Sequence, residues 1–197
     1  MKKIAIRVGI GLGAVIVVLL VLILLQPSTY RVERHATVAA PVDVVFDQVE
    51  DFRKWGPWLP WAKLDPQMKT TFGGTQGAVG ATYAWEGNDD VGSGRMTVTA
   101  IKPNERIDIE LAFIEPFASK ADNGFTVEAA GQETKITWFM AGTNDFMGKA
   151  FCLFMDMDAM IGKDFEKGLA DLKRVAEEAA KAPKPADAGT VNAAAPQ

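Results

Sequence analysis

The 197 residues carry 21 Lys and Arg against 25 Asp and Glu, a formal net charge of -4 and a pI of about 5.1. That balance argues against a nucleic-acid surface, which asks for a clustered basic face. Cys152 is the only cysteine and His35 the only histidine, so an intrachain disulfide is excluded and a His-rich metal site is left without ligands.

In chain order, Lys2, Lys3 and Arg7 precede an uncharged apolar run from Val8 to Leu25. A run of ~18 such residues matches a ~30 Å hydrocarbon layer. A cleaved signal has a shorter apolar region followed by a small-x-small site, and Leu24-Leu25-Gln26-Pro27 offers none. The expectation is an uncleaved membrane anchor over residues 1–28. Its basic flank places the N-terminus in the cytoplasm and the rest outside, periplasmic in a bacterium. Gly9 and Gly13 form a weak GxxxG pair.

Thr29 to Val38 alternates and reads as a first strand. Pro41 leads into an amphipathic helix whose apolar face is Val42, Val45, Phe46 and Val49. Pro57 and Pro60 are expected to forbid a regular helix after it, leaving Trp55, Trp58 and Trp61 on a folded-over connection. From Met68 the pattern is strand-like between glycine-rich turns. Tyr83 and Trp85 share one face, as do Met96, Val98 and Ala100. Ile107, Ile109, Leu111 and Phe113 follow on a third strand, then Phe125 and Val127, then Ile136, Trp138 and Met140. Short turns make these strands antiparallel neighbours. Ile161, Phe165, Leu169, Leu172 and Ala176 recur at helical spacing and supply the cover, with a bend expected near Asp158 to Gly162. The soluble body is read as 29–180. Residues 181–197 are read as a disordered Ala/Pro-rich tail.

This order resembles the START-like superfamily, also called SRPBCC or helix-grip, in its membrane-anchored polyketide cyclase/dehydrase-like branch. The resemblance rests on Ala40-Pro41-x-x-x-Val45-Phe46, Asp51-Phe52-x-x-Trp55-x-x-Trp58, Trp85-x-Gly87-Asn88, Trp138-x-Met140-x-Gly142 and Gly162-x-Asp164-Phe165-x-x-Gly168-Leu169. It implies an α+β fold: a curved antiparallel sheet of about seven strands wrapped on a long C-terminal helix. It also implies an apolar cavity between them, since members bind lipids, sterols or polyketides. The expected ligand-binding lining is Trp55, Trp58, Tyr83, Trp85, Met96, Phe113, Phe125, Trp138 and Phe165. The same residues would equally fill a solid core.

No catalytic set assembles in the sequence, and no cofactor or metal is expected. Glu86, at a strand end, is the candidate acid or base at a cavity mouth, and the alternative is a solvated turn residue. Glu110 is out of phase with its strand's apolar face. His35 reads as an exposed strand residue. Asp145, Asp156, Asp158 and Asp164 lack a cation-binding loop. The three tryptophans of the connection also suit a bilayer interface, so they are expected at the cavity entrance facing lipid. Five methionines between Met140 and Met160 fit either an adaptable apolar surface or gap-filling at a bend. The reading is a tethered binder of a hydrophobic small molecule or lipid, without catalysis. A cyclase/dehydratase-like enzyme and a solid-core adaptor are the alternatives.

Overall fold

The computed structural model describes the backbone of residues 2–182 and the side chains of residues 9–182. The tail expected beyond residue 182 lies outside the described residues. The chain opens with helix α1 (Lys2–Leu25), and strand β1 (Thr29–Val38) follows at once. Among the described residues no helix is long and apolar enough to cross a membrane. The described side chains of α1, Gly9 to Leu25, are just shorter than the ~18-residue run that a span asks for. The expected span is therefore not shown.

After β1 come α2 (Val42–Glu50), a 3-10 turn (Phe52–Lys54) and the short α3 (Pro60–Leu64). Six further strands succeed one another: β2 (Lys69–Gly73), β3 (Thr82–Glu86), β4 (Ser93–Lys102), β5 (Arg106–Glu115), β6 (Ser119–Ala130) and β7 (Glu133–Thr143). Two helices close the fold, α4 (Phe146–Phe154) and α5 (Met157–Lys181). The seven strands form one antiparallel sheet in the order β1-β7-β6-β5-β4-β3-β2. Each hairpin neighbour pairs with the next, and the first strand returns to the last, Tyr30 opposite Gly142.

Pro60 does not end helical structure as expected. It opens α3 at the first helical turn, where its missing N–H has no intrahelical partner to lose. In β4 the expected inward phase of Ala100 is broken by a register shift between Val98 and Ala100, which turns Ala100 outward. The bend falls at Met155 and Asp156, just before the expected Asp158–Gly162. The Asp156 carboxylate accepts from the Ala159 N–H and starts α5 afresh.

Gly162 has a different use. A Cβ there would sit 2.0 Å from the Arg34 guanidinium. The bare backbone lets Arg34 lie across α5 and bond Asp158 at 2.9 Å and Glu166 at 2.8 Å. This clamps β1 to the helix. The α5 helix packs on β1, α2 and α3, and α2 lies over β6 and β7. The core sits between these helices and one face of the sheet.

Candidate functional site

The site is built from the bottom of the sheet upward. Period-two alternation turns Phe125 and Trp138 toward the helices from the adjacent β6 and β7, where the two residues are direct partners. Their rings lie 5.1 Å apart. Helical spacing brings Phe165 of α5 onto Trp138, stacked at 4.1 Å and 5°. Gly168, one turn further, is needed for this approach: a Cβ would meet the Trp138 ring at 2.7 Å and Pro60 at 3.2 Å.

The connection after α2 folds into the same layer. Trp55 and Trp58 lie 4.9 Å apart and meet Phe125 edge-on at 5.7 and 6.0 Å. Trp58 also meets Trp138 edge-on at 5.7 Å. Both indoles are buried, at 1% and 0% exposure. The expectation that they face lipid at a cavity entrance is therefore corrected. The turn at Asp51 to Trp55 points them inward, and they fill the space between sheet and helix. Trp61 is half-buried against Trp138.

The other expected lining residues continue this layer toward the β2 edge. Tyr83 is buried between Phe52 and Trp85, Met96 is buried opposite it, and Phe113 is half-buried edge-on to Trp85 at 6.0 Å. Burial pushes the Tyr83 phenol up to about 12. All nine predicted residues thus share one contiguous layer. Their aromatic rings interlock pairwise, as in a packed interior.

Hydrogen bonding within the layer is nearly complete. The Trp55 indole N–H donates to the Val49 carbonyl at 3.1 Å, and the Trp138 N–H donates to Asn123 Oδ1 at 2.8 Å. Asn123 is itself buried, a polar anchor that the apolar pattern concealed. The Trp58 N–H is the exception: it is buried with no hydrogen-bond partner. A buried donor left unpaired costs about 1–3 kcal/mol.

The acid and base candidates do not converge on this layer. Glu86 is exposed at the end of β3, and Glu110 pairs with Lys120 at 3.1 Å on the other face of the sheet from Ile109 and Leu111. Asp51 is buried, but it is engaged locally. Its hydrogen bonds from Arg53 hold its carboxyl below the ordinary value. His35 is exposed. Asp145 and Asp156 cap α4 and α5, Asp158 pairs with Arg34, and Asp164 pairs with Lys167. Among the described residues no cluster of three or more His, Cys, Asp and Glu is arranged to hold a metal.

Two of the open grooves on the surface are lined by none of the nine residues. One, of about 900 Å³, runs between Val42 and Asp43 of α2, the β4–β5 turn at Asn104 and the end of β6 from Thr126 to Ala129. The other, of about 480 Å³, lies where α1, β1 and α4 meet, along Pro27, Tyr30, Cys152 and Met155. Burial, and secondarily Cys152, pushes the Tyr30 phenol up. Sequence reading missed this second groove because its walls come from segments far apart in the chain. It also missed Phe139, which is buried on the outer face of the sheet. The Arg31 and Arg106 guanidinia lie 4.9 and 5.0 Å from its ring. Gly124 beneath that ring was the available signal.

A seven-stranded antiparallel sheet with a long C-terminal helix across it defines the helix-grip class. Residues 29–177 match the polyketide cyclase / dehydrase and lipid transport family, and the chain belongs to it. Among solved structures it is similar to a protein of Chromobacterium violaceum, at 14% identity and a TM-score of 0.56, covering 75% of this chain and 96% of that one. The Aha1 dimer of Colwellia psychrerythraea is similar at 15% identity and 0.54, covering 75% and 96%. A protein of the dynemicin biosynthetic locus is similar at 17% and 0.53, covering 76% of this chain and 48% of that one. At these identities the likeness is one of fold. No curated protein matches the chain in sequence.

Proposed function

We propose that the protein is a membrane-tethered binder of a hydrophobic small molecule or lipid, held between the sheet and α5 without catalysis. The observation that carries this reading is the buried Trp58 N–H without a partner, set in a layer of interlocked aromatic rings. An apolar molecule bearing one carbonyl or hydroxyl would satisfy that donor while displacing rings that have other apolar neighbours to pack against. Burial of the molecule supplies about 25 cal/mol per Å² of apolar surface. The family's range, from cyclases to lipid transport, is consistent with such a guest. The scattered, locally paired carboxylates favour a binder over a cyclase/dehydratase-like enzyme, which requires a convergent acid and base.

The tether is α1. Its side chains from Gly9 to Leu25 are apolar on every face except for glycine, and most of the large ones are exposed. A helix apolar all round belongs in a core or in a membrane. The basic residues Lys2, Lys3 and Arg7 precede the apolar run and orient the domain to the extracytoplasmic side.

The tight stacking of Trp138 on Phe165 favours a second reading, a solid-core adaptor on the same tether. Native mass spectrometry of the purified full chain separates the two. A co-purified apolar molecule is expected, bound about tenfold more weakly by Trp58→Phe, the equivalent of one hydrogen bond. Trp55→Phe is the control: it strands the Val49 carbonyl and lowers stability, but leaves the Trp58 donor in place. If wild type carries no guest and takes up none from added lipid, the binder reading fails and the adaptor stands.

A further inference from the structure

The α4 helix is a nine-residue helix without a single buried residue. Its apolar side chains are turned outward: Phe146, Met147, Phe151 and Phe154 are all exposed, as is Met155 at the helix's C-terminus. The α1 helix packs against it. The Asn144 side-chain amide and backbone N–H bond Pro27 and Ser28, which fixes the start of α4 to the end of α1.

The strand register brings a second apolar projection to this end. Ala121 of β6 lies opposite Gly142, two residues before α4's leading loop. The β5–β6 tip therefore emerges at the end of the sheet where α1 arrives and α4 departs. That tip carries Ile114, at 59% exposure, and Phe117, at 80%. Most charges at the base of this surface are engaged; among the described residues, Glu115 beside the tip and Lys149 within α4 have no ion pair. Asp145 and Asp156 cap helices, Asp158 pairs with Arg34, and Lys120 pairs with Glu110. The exposed acidic turn Asp89-Asp90 lies at the same end, but toward the β2 edge, several strands from α4.

We infer that α4 and the Phe117 tip form a second, in-plane contact with the lipid bilayer, seating the domain on the membrane at the β1–β7 side. The inference rests on the reading of α1 as a tether. The occupant is a bilayer because the surface is continuous with α1 and its large exposed side chains are apolar, with Lys149 the one charged residue within α4. A helix of this kind lies with its apolar side chains about 5–10 Å into the headgroup and acyl boundary. The methionines suit that environment, since unbranched thioethers adapt to a fluid surface. The contact would also place the groove along Tyr30, Cys152 and Met155 at the lipid boundary.

The test uses the full chain in phosphatidylcholine vesicles with brominated acyl chains. A fluorophore is placed on a single cysteine at position 117, 147 or 132 in a Cys152→Ala background. Positions 117 and 147 are exposed, and Gln132 lies in the turn at the opposite end of the sheet. Quenching at 117 and 147, but not at 132, is the expected result. Hydrogen exchange on the unsubstituted chain is the second measurement, with α4 amides expected to exchange more slowly in the bilayer than in dilute detergent. If the chain resists carbonate extraction but 117 and 147 are quenched no more than 132, the seating is overturned and the tether survives. Energy transfer between copies at 117, without bromine quenching, assigns the surface to a second copy of the chain and also overturns it. If carbonate extracts the chain, the tether falls, and the inference falls with it.

Discussion

Two apolar regions of this protein have similar residue content and opposite fates. The layer between the sheet and α5 draws tryptophans and phenylalanines from six elements and seals them from water. The end where α1 meets α4 gathers phenylalanines and methionines and leaves them outside. The difference lies in partners. Each ring of the layer has a facing ring supplied by a different part of the chain, whereas α4 rests on α1 and the start of β1 and buries none of its residues. Hydrophobicity tells which residues leave water; topology tells whether the protein itself receives them.

The contrast can be broken from the packed side first. Trp138→Ala removes a ring that touches Trp58, Trp61, Phe125 and Phe165 and strands the Asn123 carbonyl oxygen. A loss of about 3–5 kcal/mol is expected in denaturant unfolding. Gly168→Val forces branched carbon into the Trp138 ring and Pro60, and an overpacking cost of about 1–3 kcal/mol should appear in the same measurement. Loss of less than half a kcal/mol would mean the layer is looser than its ring spacings imply.

Acid sharpens the contrast through the turn that delivers the indoles. Arg53 lowers the Asp51 carboxyl, so the unfolded chain binds that proton more readily than the folded one. The resulting stabilisation is complete above the ordinary aspartate value of about 3.9 and fades as pH falls through the lowered one. Asp51→Asn should therefore reduce stability at neutral pH and flatten its decline below about pH 4, the two proteins converging in strong acid. The smallest effect belongs to the exposed region. Phe154→Ser removes a whole phenyl ring, yet unfolding in detergent should shift by no more than about 0.5 kcal/mol.

Much of the sheet was readable because alternation is local. The bounds of β1 and the inward faces of β3, β5 and β7 follow from side-chain phase alone. The helix break was misplaced because Gly162 signals weakness to sequence reading, while the side-chain cap at Asp156 sets the actual start. Whether the nine aromatic and methionine residues line a space or fill one could not be read, since both outcomes use the same residues at the same period. The deciding factor is how the Asp51–Trp58 connection folds back, a tertiary event. Phe139 was hidden for a related reason: its cover is two arginine side chains, which no hydrophobic pattern registers.

The proposed tether has a mechanical consequence. The strand that leaves α1 is bonded along its whole length to β7, from Thr29 opposite Thr143 to Val38 opposite Thr134, and Arg34 clips it midway to α5. Tension on the N-terminus is directed along that strand, across bonds that stand perpendicular to it. Such a load is shared by every rung at once instead of peeling them off singly, so the junction of α1 with the sheet is suited to withstand a pull.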